Sequence, residues 1–144
     1  MIPNAGNFAN IHGSCVAVAG RGLLILGPSG AGKSALALQI MALGGQLVAD
    51  DRVDLLRQGD TVIARCPVAL RGLIEARGLG LLRAEALEAA PVALVADLAQ
   101  AETTRLPEQR QIKLLGLPVA LALRGGGDHF AYGLLQYLRG GRVA

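Results

Sequence analysis

A lysine and a serine close the glycine-rich run Gly27-Pro28-Ser29-Gly30-Ala31-Gly32-Lys33-Ser34, which satisfies G-x-x-x-x-G-K-[ST] at every fixed position. The chemistry of such a run is phosphate binding. Glycines let the loop wrap with its amides turned inward, and a helix N-terminus placed behind it adds positive potential. Lys33 sets a point charge on the β and γ phosphates, and Ser34 offers a hydroxyl to magnesium. Chance matches are easier in a chain with 20 glycines, yet one of only two lysines, Lys33, falls on the required position. The residue types therefore point to a phosphate chain with Mg2+.

Six further positions carry candidate chemistry. Asp50 and Asp51 follow a short apolar strand, and adjacent strand residues face opposite ways, so the two acids are expected to hold different roles. An acid at a strand end beside a phosphate loop can hold magnesium or accept a proton from an incoming hydroxyl; in solvent it is a turn former. Glu75 and Arg77 lie two apart among glycines, a pattern that suits a metal and a phosphate, or equally a salt-bridged surface loop. His12 and Arg105 are isolated, and residue type alone allows plain solvation for both.

These residues must be positioned by short strands and a few helices. Ser14 to Ala19 reads as a strand, Gly20-Arg21 as a tight turn and Gly22 to Leu26 as a second strand feeding the loop. Lys33 to Leu43 reads as a helix with apolar residues at Leu36, Ile40 and Leu43, ended by Gly44-Gly45. Leu47 to Ala49 is a short strand, and Val53 to Leu56 with Thr61 to Ala64 forms a hairpin. Val68 to Ala76 is expected to be a short helix or a structured loop. Strands follow at Val92 to Asp97, Ile112 to Leu115 and Val119 to Leu123, then a turn over Arg124 to Asp128 and a last helix over Phe130 to Leu138. The pattern is α/β: a single domain over residues 1–144, with a mixed, hairpin-rich sheet around the helix that follows the phosphate loop.

Composition narrows the function classes. Of the 144 residues 52% are hydrophobic and 17% charged, which argues for a packed domain against disorder; with 3% aromatics the core must be aliphatic. The net charge of +3 is scattered, with no basic stripe and interleaved aromatics, so nucleic acid is not the expected ligand. No apolar run is long enough to span a membrane, and Met1 to Asn10 lacks the basic start and apolar centre of a signal peptide. Cys15 and Cys66 form no disulfide framework and read as small buried thiols in a reducing cytosol.

Taken in order, Ile11-His12-Gly13, the phosphate loop, Leu47-Val48-Ala49-Asp50-Asp51-Arg52-Val53, Glu75-Ala76-Arg77-Gly78-Leu79-Gly80 and Thr104-Arg105-Leu106 resemble the catalytic domain of bacterial HPr kinase/phosphorylase. The resemblance covers roughly residues 10 to 118, and the acid-pair and Ala-Arg-Gly-Leu-Gly strings are its specific part. It implies the HPr kinase/PEP carboxykinase-like core. It also implies a cytoplasmic serine kinase that uses ATP and Mg2+, or pyrophosphate, to phosphorylate HPr, the small phosphocarrier of the sugar phosphotransferase system. The family reverses the reaction by phosphorolysis and assembles as hexamers.

By the same resemblance, Asp50 would accept the serine proton, with His12 beside it and Lys33 on the phosphates. Ser34 and Glu75 would hold magnesium with help from Asp51, Arg105 would contact the transferred phosphate, and Arg77 lies in the signature loop. The chain departs from the family at Ala35, where an acid is usual, and in Ala122 to His129, which replace a Pro- and Arg-containing loop used in dephosphorylation. Its start about ten residues before His12 matches the short form that lacks an N-terminal domain. A small-molecule kinase or NTPase and a nucleotide-sensing regulator are the competing readings of the same loop.

Overall fold

Two apolar cores, one on each side of a curled sheet, account for most of the buried residues. The computed structural model describes residues 5–144; Met1 to Asn4, the start of the segment without a signal-peptide pattern, lie outside the described residues. The strands are β1 (Phe8–His12), β2 (Ser14–Val18), β3 (Arg21–Leu26), β4 (Gln46–Ala49), β5 (Arg52–Gln58), β6 (Thr61–Arg65), β7 (Leu73–Ala76), β8 (Gly80–Arg83), β9 (Ala89–Ala101), β10 (Arg110–Leu114) and β11 (Leu117–Arg124). The helices are α1 (Lys33–Ala42) and α2 (Phe130–Gly140).

Within the described residues, nine strands form one mixed sheet along the path β1-β5-β6-β9-β3-β2-β4, with β11 on β9 and β10 on β11. The β3 and β11 strands run parallel to β9; the hairpins β2–β3, β5–β6 and β10–β11 are antiparallel. β7 and β8 make a separate two-stranded ribbon. Alternation along β3 explains the two cores. Leu23 and Ile25 face α1 and α2 with Leu36, Ile40, Leu94, Leu134 and Leu138. Leu24 and Leu26 face the other way, toward Val53, Leu55, Val62, Val95 and Leu114. A strand buried on both faces reads as a continuous apolar run, as Leu23 to Leu26 does. The architecture is the mixed, hairpin-rich α/β sheet expected.

Helix α1 ends where the glycine pair places it. Gly44 N–H donates to Met41 O at 3.1 Å and Gly45 N–H to Ile40 O at 2.9 Å, the paired bonds of a Schellman cap. Elsewhere the observed elements differ from expectation. The first turn is Ala19-Gly20, both at positive φ (53° and 76°), so Arg21 already belongs to β3. His12 is the last residue of a strand, β1, because its backbone pairs with Arg52 of β5. Only Val68–Leu70 of the Val68 to Ala76 segment is helical, as a single 3-10 turn; Arg71 and Gly72 turn the chain, and Leu73–Ala76 is strand β7, held by pairing with β8.

Cys15 is fully enclosed, and burial pushes its thiol up to about 12. Only the thiolate reacts with disulfide reagents. Cys15 is therefore expected to resist an aromatic disulfide reagent at pH 8 in the native protein and to react once the chain is denatured. Fast labelling of Cys15 in the native state would contradict its enclosure. No helix among the described residues is long and apolar enough to cross a membrane.

Candidate active site

Strand β3 delivers the phosphate loop at its C-terminal end, and α1 begins at the last glycine of the motif. Gly32 is the N-cap residue with φ 99°, a left-handed conformation that an L side chain resists, so the lysine that follows enters the helix facing the loop. The first turn of α1 contains no acidic residue, so no carboxylate of its own offsets the positive helix end. Lys33 is buried to 7% exposure, and its Nζ donates to the carbonyls of Gly27 at 2.8 Å and Pro28 at 3.0 Å. The ammonium is thus drawn back over the loop.

Asp50 and Asp51 lie in the bend between β4 and β5 and not in a strand, so their different surroundings come from that bend, with Asp51 at φ 70°, and not from strand alternation. Asp50 is 5% exposed. Its Oδ1 accepts from Ser14 Oγ at 2.6 Å and from Ser34 Oγ at 2.8 Å. Its Oδ2 accepts from Ser34 Oγ at 3.1 Å and from the Glu75 backbone N–H at 3.0 Å. Asp51, by contrast, sits at φ 70° with its side chain 69% exposed, and its Oδ1 lies 3.5 Å from His12 Nε2. The partner of His12 is therefore Asp51 and not Asp50. The reason lies in the chain path: His12 pairs in register with Arg52, next to Asp51, while the Asp50 carboxylate turns inward to two serines.

These groups surround one cavity of about 490 Å³, lined by His12, Ser29, Gly30, Gly32, Lys33, Ser34, Asp50, Asp51, Glu75, Arg77 and Leu79 among others. The β7–β8 ribbon brings Glu75 and Arg77 to it, Glu75 from β7 and Arg77 from the turn that follows. Gly27, Pro28 and Ala31 form the loop's inner bend, where Ala31 N–H donates to Pro28 O at 3.0 Å.

Arg105 is the exception among the expected site residues. It lines a second cleft of about 410 Å³ with Glu102, Arg110, Phe130 and Tyr137, and it is not among the residues lining the phosphate-loop cavity. Strand β9 explains this. Asp97 is level with Leu26 at the end of β3, but β9 runs on to Ala101 and carries the following connection past the loop. That connection is then tied to the far side of the sheet. Glu102 N–H donates to Arg124 O at 2.8 Å, and Arg110 donates to both Glu102 carboxylate oxygens at 3.0 and 3.1 Å. Arg142 donates to Pro107 O. The hydrogen bond from Arg110 holds the Glu102 carboxyl below the usual carboxylate range and raises the guanidinium.

Ser14 was missed by the motif reading. It is fully buried, in a strand whose other members are all apolar. A lone hydroxyl in such a strand must find a buried acceptor, and that requirement was its only signal in the sequence.

The oxygen donors near Ser34 can be tested against magnesium. Ser34, Asp50 and Glu75 offer only hard oxygen atoms, which suit Mg2+ better than a softer metal. No group of three or more His, Cys, Asp or Glu side chains placed to hold a metal occurs among the described residues. That agrees with an ion that keeps water and substrate phosphate oxygens and takes only one or two ligands from protein. The residues present fit the ion.

Comparison with known proteins gives a consistent result. The family model described as HPr Serine kinase C-terminal domain matches residues 5–109. Proteins named HPr kinase/phosphorylase from Burkholderia lata and Burkholderia cenocepacia are each 41% identical over 124 residues, covering 78% of this chain and 38% of theirs. The chain thus spans well under half the length of these relatives. The solved structure of the Hpr(Ser) kinase/phosphatase from Coxiella burnetii aligns with a TM-score of 0.77 at 23% identity, over 91% of this chain and 88% of that one, and so shares its fold. Residues 110–144, which include β10, β11 and α2, lie beyond the family match.

Proposed function

The chain belongs to the HPr serine kinase C-terminal domain family, and on that premise we propose that it transfers the γ-phosphoryl group of ATP to a serine of an HPr-type phosphocarrier, with phosphorolysis as the reverse reaction. The observation that carries the reading is the single cavity in which Lys33, Ser34, Asp51 and Arg77 face one another.

The roles follow from exposure and partners. Proton acceptance falls to Asp51 instead of Asp50, because Asp51 is exposed to an incoming hydroxyl while Asp50 already accepts hydrogen bonds on both oxygens. His12 Nε2 steadies the Asp51 carboxylate. As the serine oxygen bonds to the γ-phosphorus, the bond to the bridging oxygen of ADP breaks and the serine proton passes to Asp51. In dephosphorylation, an oxygen of inorganic phosphate bonds to the seryl phosphorus as the bond to the serine oxygen breaks; Asp51 returns a proton to that oxygen, and pyrophosphate is the product. Lys33 and Arg77 supply positive charge where the phosphoryl oxygens gather it. Ser34, with Asp50 and Glu75 behind it, would hold Mg2+, which neutralises charge on the phosphate oxygens when bound.

This reading makes the chain a cytoplasmic protein that self-associates, as a hexamer on the family's pattern. Sedimentation as a monomer at micromolar concentration would contradict that part. The activity is tested by mixing the purified protein with ATP, magnesium and an HPr-type carrier, beside a carrier whose acceptor serine is replaced by alanine. Phosphoserine on the first carrier alone is expected. ADP formed at equal rates with either carrier, and no phosphoserine, would favour a simple NTPase.

A further inference from the structure

We propose that Ser14 is a positioning residue of this site, which sets the rotamer of Asp50 and thereby the orientation of the Ser34 hydroxyl toward the metal; the proposal rests on the phosphate-loop reading given above. Its basis is a clamp in which three consecutive residues hold two consecutive acids. His12 faces the Asp51 carboxylate at 3.5 Å, Gly13 N–H donates to the Asp51 carbonyl at 3.1 Å, and Ser14 Oγ donates to Asp50 Oδ1 at 2.6 Å.

The clamp forms because the curled sheet brings its two ends together. β1 pairs with β5 at one end and β2 with β4 at the other, so the junction between β1 and β2 lies against the junction between β4 and β5. Gly13 makes the approach possible. A Cβ there would lie 3.0 Å from the carbonyl oxygen of Ile25 in β3, tighter than side chains normally pack.

Ser14 differs from a core serine that is merely satisfied, because its acceptor belongs to the site. The other donors to Asp50 are Ser34, the hydroxyl of the phosphate-loop motif, and the backbone of Glu75. The Ser34 proton is shared between both Asp50 oxygens, so it does not by itself choose one carboxylate orientation. Ser14 engages Oδ1 alone and the Glu75 N–H engages Oδ2 alone, so these two donors together fix the carboxylate, and Ser14 is the one side chain among them. Removing its hydroxyl leaves no buried orphan, since Oδ1 retains Ser34 as donor. The loss is therefore expected in site geometry and not in folding. Groups that orient a metal ligand typically contribute about 10- to 100-fold to metal affinity.

The test is a titration of the full chain with Mn2+ in the presence of ADP, followed by electron paramagnetic resonance, with thermal unfolding alongside. Ser14→Ala is expected to weaken Mn2+ about tenfold at nearly unchanged melting temperature. In an Asp50→Asn background the same substitution is expected to have no further effect on Mn2+. Wild-type Mn2+ affinity in folded Ser14→Ala overturns the proposal, as does an undiminished effect in the Asp50→Asn background. Should Ser14→Ala fail to fold, Ser14→Cys keeps the volume with a weaker donor; wild-type affinity there overturns it too. Ser34→Ala separates the two readings. If it leaves Mn2+ affinity intact, the metal assignment itself fails; if it weakens Mn2+ and Ser14→Ala does not, only the role of Ser14 fails.

Discussion

Lys33→Ala is expected to lose phosphorylation and its reversal together, each by roughly a thousandfold, the scale seen when one preorganised charge-stabilising donor is removed. The ammonium is buried to 7% exposure and already held within the loop by the Gly27 and Pro28 carbonyls at 2.8 and 3.0 Å. Those weak neutral acceptors can be exchanged for phosphate oxygens with little rearrangement. Because the same phosphoryl group passes through the same place in both directions, the loss must appear in both. The measurement is initial rate of phosphoserine formation and of pyrophosphate release, with circular dichroism to confirm the fold. Retained transfer in either direction would remove Lys33 from the mechanism.

Asp51→Asn is expected to slow transfer by about 10²- to 10⁴-fold, the usual contribution of a positioned general base, while nucleotide still binds. Asparagine is nearly isosteric and tolerates the left-handed backbone that Asp51 adopts at φ 70°, so the substitution removes basicity and little else. Asp50→Asn should behave differently. It replaces an acceptor of three donors, Ser14, Ser34 and the Glu75 amide, with a group half of which is itself a donor. Its main effect is expected in the apparent affinity for metal and nucleotide. Rate measurements at saturating and limiting magnesium distinguish the two variants.

The contrast between the two acids marks how far the sequence could be read. The phosphate loop was legible because its function needs contiguous residues, and strand, loop and helix follow one another along the chain from Leu23 to Ala42. Alternation led to the expectation that the acids should differ, but the cause is the bend between β4 and β5, where Asp51 takes φ 70°. Which acid does what was not legible. It depends on Ser14, 36 positions from Asp50, and on His12, whose strand is defined by pairing with β5 and not by its own residues. Burial in β1 does alternate, but its outward face includes the exposed Phe8 and its inner face carries only Ala9 and Ile11, and β8 is exposed throughout, so residue type marks neither strand. Arg105 was placed in the site by the order of motifs. Order along the chain does not reveal that β9 overshoots the loop and carries Arg105 to another cleft.

The central claim is that this cavity moves a phosphoryl group from ATP to a protein serine with Asp51 as base. It is tested most directly by following transfer of label from γ-labelled ATP to an HPr-type carrier in a single turnover, with wild type and Asp51→Asn at saturating magnesium. The account predicts labelled phosphoserine on the carrier with wild type, and almost none with an Asp51→Asn protein that still binds ATP. Label appearing on the carrier at the wild-type rate in Asp51→Asn, or never appearing with wild type while ATP is consumed, would contradict it.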